Sequence, residues 1–388
     1  MALDRGALDR AVDRIGETLI DLSRKIHENP ELCFEEHRAA AWIAEYVEQT
    51  AGVQVERGLG GLATALRARA GKGATARVAI LAEYDALPSI GHACGHNLIA
   101  GAAVGAFVAL SSQAEALGGT VELVGTPAEE GGGGKIKLLE AGVFEGVSAA
   151  MMFHPFDRDL LSHSALSSTR IAFEFHGAPS HAAIDPSEGR SALTAVLDTF
   201  RLIDGQRVHF KDGVRVHGIV TNGGQAVNII VEDAACEFSV RAKTTAEVER
   251  VKAIVVRCAR AAALASDVEL EITERRGYRE MKNNMAIAQR FGAALEALGR
   301  RPRVADERVG AGSTDMGDVS QFVPSIHPWL GICDEGETSC HQHEFAACAA
   351  SPRGFETMMV AAKAMARTAA DLLEDAGLLE RARAEFAG

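Results

Sequence analysis

The sequence contains no uninterrupted apolar stretch of the roughly 20 residues that a membrane-spanning helix requires. Its first ten residues alternate charged and apolar side chains and lack the apolar core of a secretory signal. Positive charge is in deficit, with 40 Lys and Arg against 53 Asp and Glu and a formal net charge of −13. This balance argues against nucleic acids and anionic membranes as partners, because both bind clustered Lys and Arg.

Several covalent and catalytic signatures are missing as well. The seven cysteines are odd in number and irregularly spaced, so they do not indicate a disulfide framework. A reducing compartment is the simplest interpretation, and we expect the protein in the cytoplasm. No Gly-x-Ser-x-Gly segment is present, which argues against a serine hydrolase. The glycines at 131–134 are not followed by Gly-Lys-Ser/Thr, so the signal for a phosphate-binding loop is weak.

The length and periodicity of the chain predict two domains. A chain of 388 residues with 47% hydrophobic content is typical of a two-domain globular enzyme. Apolar spacing predicts one helix over 4–28 and a last long helix over 351–376. The segment 168–280 has the order βαββαβ, which is the ferredoxin-like split unit. We therefore predict an α/β protein in which residues 1–167 and 281–388 form the main domain and 168–280 an inserted α+β domain.

The most informative stretch is the loop that follows the predicted strand 76–82. It contains Asp85, Cys94 and His96 and leads into a helix of small residues. Strand-end loops carry the chemistry of α/β proteins, because the fold presents their side chains at the carboxyl edge of the sheet. A thiolate and an imidazole two residues apart can bind one metal ion, and a carboxylate can orient the imidazole. Cys94 alone would more often be a packing residue, but its neighbours favour metal binding.

Other predicted strands also end at potential ligands. Glu129 and Glu130 follow the strand 119–125 and precede the glycines. Two adjacent acids can have different roles, one as a metal ligand and the other as the group that transfers protons. His154 follows the apolar strand 149–153, although a lone histidine there is more often structural. Near the C-terminus, two histidines, His341 and His343, compete for one role.

Four motifs together carry a family resemblance. They are Glu-Tyr-Asp-Ala-Leu-Pro with Gly-His-Ala-Cys-Gly-His-Asn, Gly-Thr-Pro-Ala-Glu-Glu-Gly-Gly-Gly-Gly-Lys, His-Gly-x-x-Ser-His-Ala-Ala, and Gly-Ser-Thr-Asp-Met-Gly-Asp-Val-Ser. The chain resembles, over nearly its whole length, the metallopeptidase and amidohydrolase family M20, which includes the aminoacylases. Within its amidohydrolase subfamily, the chain looks most similar to the aminobenzoyl-glutamate hydrolases and related dipeptidases. Asn97 fits that group, because many other members of the subfamily have Asp at this position.

The resemblance implies a zinc-peptidase-like catalytic domain with an inserted ferredoxin-like lid, which often dimerises, and two divalent metal ions. By motif position, the implied metal ligands are Cys94 as the bridging ligand, His96, Glu130, His154 and His341. Asp85 would orient the ligands, and Glu129 would be the general base.

The resemblance also implies roles on the substrate side. His181 matches a lid histidine that stabilises the oxyanion, commonly in the active site of the neighbouring subunit. Asn228 and the loop of Gly312, Ser313 and Thr314 match positions that contact the substrate. The spacing to Glu344-Phe345 favours His341 over His343 as the last ligand, with His343 as the alternative. The implied partners are a small-molecule substrate and further copies of this chain, as a homodimer or higher homo-oligomer.

The implied activity is hydrolysis of a C–N bond by a metal-activated water. The expected substrate is an N-acyl or N-aroyl amino acid of the aminobenzoyl-glutamate type. One alternative is a dipeptidase for small unusual dipeptides, and another is a hydrolytic deaminase of an amino-substituted aromatic acid. An alternative of another class is a non-catalytic metal-dependent binder. The thiolate favours zinc, but imidazole and carboxylate also accept manganese, so the metal stays open between the two.

Overall fold

The structure is a computed structural model that describes residues 3–72, 76–306 and 312–388. Contacts between residues divide the chain into two compact units. One unit consists of Met1–Ser164 together with Met281–Gly388, and the other is Ala165–Glu280. Helices and strands alternate along the chain, which confirms the predicted α/β class.

The first unit is built on a six-stranded sheet. Numbered along the chain, its strands are β1 (Val55–Arg57), β2 (Leu66–Ala70), β3 (Arg77–Ala82), β4 (Thr120–Gly125), β5 (Ala149–Met151) and β11 (Ser325–Ile326). Their order in the sheet is β1-β2-β4-β3-β5-β11. The central strand β3 runs parallel to both β4 and β5, so the carboxyl ends of all three meet at one edge of the sheet. A second, parallel pair joins β6 (His154–Phe156) to β12 (Trp329–Gly331).

One helix of the first unit, α4 (His96–Ser111), is buried along almost its whole length. The other helices of this unit are α1 (Arg5–Arg14), α2 (Gly16–Glu28), α3 (His37–Ala51), α5 (Gly134–Glu140), α8 (Met285–Ala297), α9 (Met316–Val319), α10 (His343–Cys348), α11 (Pro352–Glu374) and α12 (Ala376–Ala387). Buried α4 packs against α2, α11 and β3. Glycine permits this packing, because a Cβ at Gly101 would lie 2.3 Å from Met358 Sδ.

The N-terminal helix differs from the prediction. The single helix expected over 4–28 is two helices, because Ile15 leaves the helical conformation at φ −96° and ψ 4°. The Ile15 carbonyl accepts hydrogen bonds from the Thr18 hydroxyl at 3.0 Å and the Leu19 N–H at 2.9 Å. Apolar periodicity continues across this break, which is why the sequence pattern did not reveal it. Among the helices of the described residues, none is long and apolar enough to span a membrane.

The second unit has the predicted ferredoxin-like order. Its elements are β7 (Ser167–His176), α6 (Ala192–Gln206), β8 (Arg215–Asn222), β9 (Asp233–Ala242), α7 (Thr245–Ser266) and β10 (Glu269–Arg276). The strands form an antiparallel sheet in the order β10-β7-β9-β8. Alternate residues of β7 and β9 are buried with the inner faces of α6 and α7, as expected when helices cover one face of a sheet.

Candidate metal centre

Three parallel strands of the first unit end beside side chains that can bind a metal ion. Glu83 and Asp85 follow β3, Glu129 and Glu130 follow β4, and His154 follows β5. The parallel registers align these three strand ends. The structure therefore collects these side chains at the carboxyl edge of the sheet, where α/β folds bind their ligands.

Cys94 lies directly against His154. The Cys94 Sγ is 3.4 Å from the His154 Nε2. Gly95 allows this approach, because its φ is +74° and a Cβ there would lie 2.8 Å from Pro155 Cγ. The Nδ1 of His154 is 2.7 Å from the Pro155 carbonyl oxygen, which fixes the proton on Nδ1. Burial, with the charge of His96, lowers the pKa of His154 to about 3, so the ring is neutral and its Nε2 is the unprotonated nitrogen that faces Cys94.

Asp85 orients His96. The His96 Nδ1 is 2.9 Å from the Asp85 carbonyl oxygen and 3.0 Å from its Oδ1. The other Asp85 oxygen accepts the N–H of Glu130 at 2.9 Å. Burial raises the pKa of Asp85, but His96, the Glu130 N–H and Lys135 together outweigh burial and lower this pKa to about 2. The His96 Nε2 is left buried and without a hydrogen-bond partner among residues 3–72, 76–306 and 312–388.

Glu130 pairs with His341. The Glu130 Oε2 is 3.4 Å from the His341 Nε2, and the hydrogen bond raises the pKa of His341. His341 has a φ of +70°, and its N–H donates to the Ala93 carbonyl at 2.9 Å, which holds it beside the Cys94 loop. The Glu130 Oε1 is buried with no hydrogen-bond partner in the described part of the chain.

Glu129 is a buried carboxyl in an acidic neighbourhood. Burial raises the pKa of Glu129 well above its usual range, and the charges of Glu83 and Glu130 raise it further. The backbone before Glu129 is held by Glu36, whose Oε1 accepts the Ala128 N–H at 2.9 Å. Ala128 itself has a φ of +61°. Glu36 is fully buried, and its role was not predictable from the sequence because nothing near it in the chain indicates a ligand.

These side chains form overlapping groups whose ligand atoms lie within 4.8 Å of one another. The groups are Cys94 with His96 and His154, Cys94 with Glu130 and His341, and His96 with Glu129 and Glu130. Their sulfur, nitrogen and oxygen donors are the types that bind zinc, and the imidazoles and carboxylates also suit manganese. Buried atoms such as His96 Nε2 and Glu130 Oε1 are costly without a partner. The residues present therefore fit divalent metal ions.

The two C-terminal histidines differ in position. His341 belongs to one of these groups, whereas His343 is in none that the described residues form. His343 is instead the exposed first residue of α10.

A fourth group consists of Glu83, Glu129 and Asp315. It differs from the others because a buried lysine, Lys135, contacts two of its members. Lys135 was not predicted as a site residue from the sequence, although it ends the motif that contains Glu129, Glu130 and the glycines.

The loop predicted to contact the substrate precedes Asp315. Thr314 is largely buried, and its hydroxyl accepts the Met316 N–H at 3.2 Å. The Ser313 hydroxyl is buried with no hydrogen-bond partner among the described residues, and Gly312 is exposed. Through Asp315 this loop adjoins the acidic group that contains Glu129.

Within the second unit, His181 and Asn228 lie on neighbouring segments. The Ala182 N–H donates to the Asn228 carbonyl at 3.0 Å, and His181 forms an isolated β-bridge with Ile229. Both residues are exposed. The His181 Nδ1 accepts the Ala183 N–H at 3.2 Å, so its proton is on Nε2. The structure thus brings these two predicted substrate-side residues together, far apart in sequence as they are.

Asn97 anchors the start of α4, directly after His96. Its amide donates to the Ser23 hydroxyl at 3.0 Å and to the Ala349 carbonyl at 2.9 Å. Asn97→Ala is expected to lower the free energy of unfolding by about 1–3 kcal/mol, because it leaves the buried carbonyl unpaired. Urea unfolding followed by circular dichroism measures this change. The exposed Gln225→Ala is the control and should change stability by less than about 0.5 kcal/mol. Equal effects of the two variants would contradict the anchoring role.

Comparison with known sequences identifies one family and several relatives of this chain. The sequence profile of peptidase family M20/M25/M40 matches residues 79–369. Xaa-Arg dipeptidase of Mus musculus is 36% identical over an alignment of 401 positions, which covers 99% of this chain and 92% of that protein. A p-aminobenzoyl-glutamate hydrolase subunit of Escherichia coli (strain K12) is 28% identical over an alignment of 453 positions, which covers 97% of this chain and 94% of that protein.

Solved structures share the fold. A dinuclear metal binding peptidase of the M20 family from Bacillus subtilis has a TM-score of 0.72 at 23% identity, over 93% of this chain and 99% of that one. An aminobenzoyl-glutamate utilization protein from Klebsiella pneumoniae has a TM-score of 0.73 at 18% identity, over 95% of this chain and 99% of that one. At these identities the comparison shows a common architecture.

Proposed function

The chain belongs to peptidase family M20/M25/M40 and is a metal-dependent hydrolase, and from this premise we propose that it cleaves the amide bond of an N-acyl or N-aroyl amino acid. One observation carries the proposal. Two ligand groups share Cys94, and the buried Glu129 carboxyl lies beside them in a third. This arrangement can activate water and move its proton without a covalent intermediate on the protein.

The proposed roles follow from the contacts. Cys94, His96 and His154 would hold one divalent ion, and Cys94, Glu130 and His341 the other. When bound, the ions would supply Lewis acidity toward a water molecule and the scissile carbonyl. The Glu129 carboxylate takes the proton of the attacking water and returns it to the leaving nitrogen.

The remaining site residues orient a metal ligand or bind the substrate. Asp85 holds the His96 ring through Nδ1. By the family resemblance, His181 is proposed to donate from Nε2 to the developing oxyanion in the active site of a neighbouring copy of the chain. Asn228, Gly312, Ser313 and Thr314 are proposed to contact the substrate.

The substrate class has two candidates that the relatives support. The first is an aroyl-glutamate, the type of substrate named for the Escherichia coli relative. The second is a dipeptide with a C-terminal arginine, which the name of the mouse relative indicates, and that relative is 36% identical over 99% of this chain. Both substrates contain an amide bond to an amino acid, so one hydrolytic centre serves either.

A substrate panel tests the proposal. Protein loaded with zinc or with manganese is incubated with aminobenzoyl-glutamate, other N-acyl amino acids, Xaa-Arg dipeptides and amino-substituted aromatic acids, and the released amine or ammonia is measured. Release of a free amino acid is the expected result, and the best substrate identifies the class. Ammonia from an aromatic acid would instead indicate the deaminase alternative. Metal-loaded protein with no turnover on the whole panel would contradict the proposal and favour a metal-dependent binder.

Metal removal is expected to abolish turnover. Dialysis against a chelator should lower kcat by at least about 100-fold, because the chain's own side chains provide only part of the activation of water. Re-addition of zinc or manganese should restore the rate, and the metal content measured by mass spectrometry should rise to two ions per chain. Undiminished turnover by the metal-free protein would contradict this prediction.

We also propose that the chain forms a homodimer or higher homo-oligomer through its second unit. β8 is at an edge of the four-stranded sheet, where it can pair with another strand. Its apolar residues Ile219 and Val220 are 64% and 45% exposed. Light scattering should give at least twice the mass of one chain, and Ile219→Lys should lower the mass to that of one chain. A monomer at micromolar concentration would contradict the proposal.

The cytoplasm is the proposed location, since all seven cysteines are free thiols.

A further inference from the structure

Lys135 is a fully buried cation that none of the roles above uses. It is the second residue of α5, and its side chain is 0% exposed. The preceding Gly134 makes this position possible, because a Cβ at Gly134 would lie 1.8 Å from the Pro127 carbonyl oxygen. The start of α5 is therefore packed directly against the loop that carries Glu129. Backbone packing, rather than a long reach of the side chain, brings Lys135 to the acidic side of the centre.

The Lys135 ammonium group joins two carboxylates from different segments. It contacts Glu83 Oε1, directly after β3, and lies 2.7 Å from Oδ1 of Asp315, the residue before α9. The backbone N–H of Lys135 also donates a hydrogen bond to Oδ2 of Asp315 at 3.0 Å. A buried ammonium group is tolerated only with such pairing. Burial acts to lower the pKa of Lys135, but Asp315 and Glu83 raise it, so the side chain stays charged.

The two partners of Lys135 are also neighbours of Glu129. Glu83, Glu129 and Asp315 have carboxylate oxygens within 4.8 Å of one another. Three carboxylates at this separation repel each other strongly in a buried setting and need a cation among them. By donor type the group could bind a metal ion, yet the Lys135 ammonium already contacts two of its three members. The cation of this group is thus part of the chain itself.

We propose that Lys135 is a positioning residue for the hydrolysis, whose ammonium group holds Glu83 and Asp315 together and thereby fixes the Glu129 carboxylate where it takes the proton of the attacking water. The inference rests on the proposed function, because the role of Glu129 belongs to it. Lys135 acts through its neighbours. The Glu83 Oε2 also lies 3.5 Å from the His96 Nε2, so the same network extends to a proposed metal ligand.

The test compares three variants as metal-loaded full-length proteins. Lys135→Met removes the ammonium group, and Lys135→Met with Asp315→Asn removes both the cation and one of its partners. Lys137→Met is the matched control, because Lys137 is on the same helix and exposed. For each variant, kcat, KM, metal content and Tm are measured on the best substrate of the panel.

Lys135→Met is expected to lower kcat by about 100-fold, since a misplacement of about 1 Å at the reacting centre can cost that much. KM should change by less than about threefold and two metal ions per chain should remain, because the moved group binds neither substrate nor metal. The double variant should recover part of the Tm that Lys135→Met loses, because Asp315 no longer carries an unpaired charge, whereas Glu83 still does. Its kcat should remain about 100-fold low, and Lys137→Met should match the original protein.

A purely structural ion pair would give another pattern. In that case turnover per metal-loaded molecule would recover together with Tm in the double variant, and this recovery would overturn the proposal. A wild-type kcat in Lys135→Met would overturn it too. If Lys135→Met does not fold, the double variant decides by the same criterion. If the unmodified protein shows no turnover, both the proposed function and this inference are overturned. If Glu129→Gln loses turnover while Lys135→Met keeps full activity, only the inference is overturned.

Discussion

Glu129→Gln is expected to lower kcat by about 10³- to 10⁴-fold while metal binding persists, at the upper end of what a general base contributes. The amide has nearly the shape of the carboxylate and keeps an oxygen donor, but it cannot accept the proton of the attacking water. The measurement is steady-state kinetics on the best substrate, together with the metal content of the same sample. KM should change little, because the lost interaction belongs to the transition state.

The neighbouring Glu130→Gln provides a matched comparison for Glu129→Gln. Glu130 lies in a ligand group with Cys94 and His341, and its Oε2 is 3.4 Å from the His341 Nε2. Loss of its negative charge is expected to release metal and activity together. The adjacent acids should therefore separate proton transfer from metal binding. A Glu129→Gln protein that is loaded with metal and keeps more than about one tenth of the wild-type kcat would show that another group is the base.

His341→Ala is expected to weaken metal binding and turnover by more than the roughly 10- to 100-fold that loss of an outer-shell partner of a ligand causes. The physical reason is the position of the His341 side chain. The His341 N–H is bound to the Ala93 carbonyl, and its Nε2 faces Glu130, so its ring lies beside the Cys94 loop. Metal affinity is measured by titration with a competing chelator, and kcat is measured at saturating metal.

The control for His341→Ala is two residues away. His343→Ala removes the same side chain type from the exposed first residue of α10, and it is expected to leave metal affinity and kcat within about twofold of the original values. If His343→Ala shows the large loss and His341→Ala the small one, the assignment of the last ligand is wrong.

Much of the architecture was accessible from the sequence. The family resemblance, the α/β class and the hydrolytic activity are confirmed, because long motifs and strand–helix periodicity are properties of contiguous residues. The order βαββαβ of the second unit was readable for the same reason. The break in the helix at Ile15 was not predictable, because the amphipathic pattern continues through the change of backbone conformation.

The residues of the candidate site were predictable from the sequence, but their grouping was not. Asp85, Cys94, His96, Glu129, Glu130 and His154 were predicted as site residues in the sequence analysis because each follows a predicted strand at a short distance. Their roles stay proposals, but the structure shows which of them can share an ion. That information comes from the parallel alignment of β3, β4 and β5, which lets Cys94 and His96 form one group of ligand atoms with His154 and others with Glu129 and Glu130.

The family, the fold class and the side-chain types of the centre follow from the sequence, because they depend on residue types at fixed spacings along the chain. Which distant residues meet is evident only from the tertiary structure. It brings His341, which the motif spacing already favoured over His343, beside Glu130, and it brings Glu36 to the backbone of Ala128 and Lys135 between Glu83 and Asp315. Lys135 ends one of the sequence motifs, but the free energy of burying its charge becomes evident only when its partners are known.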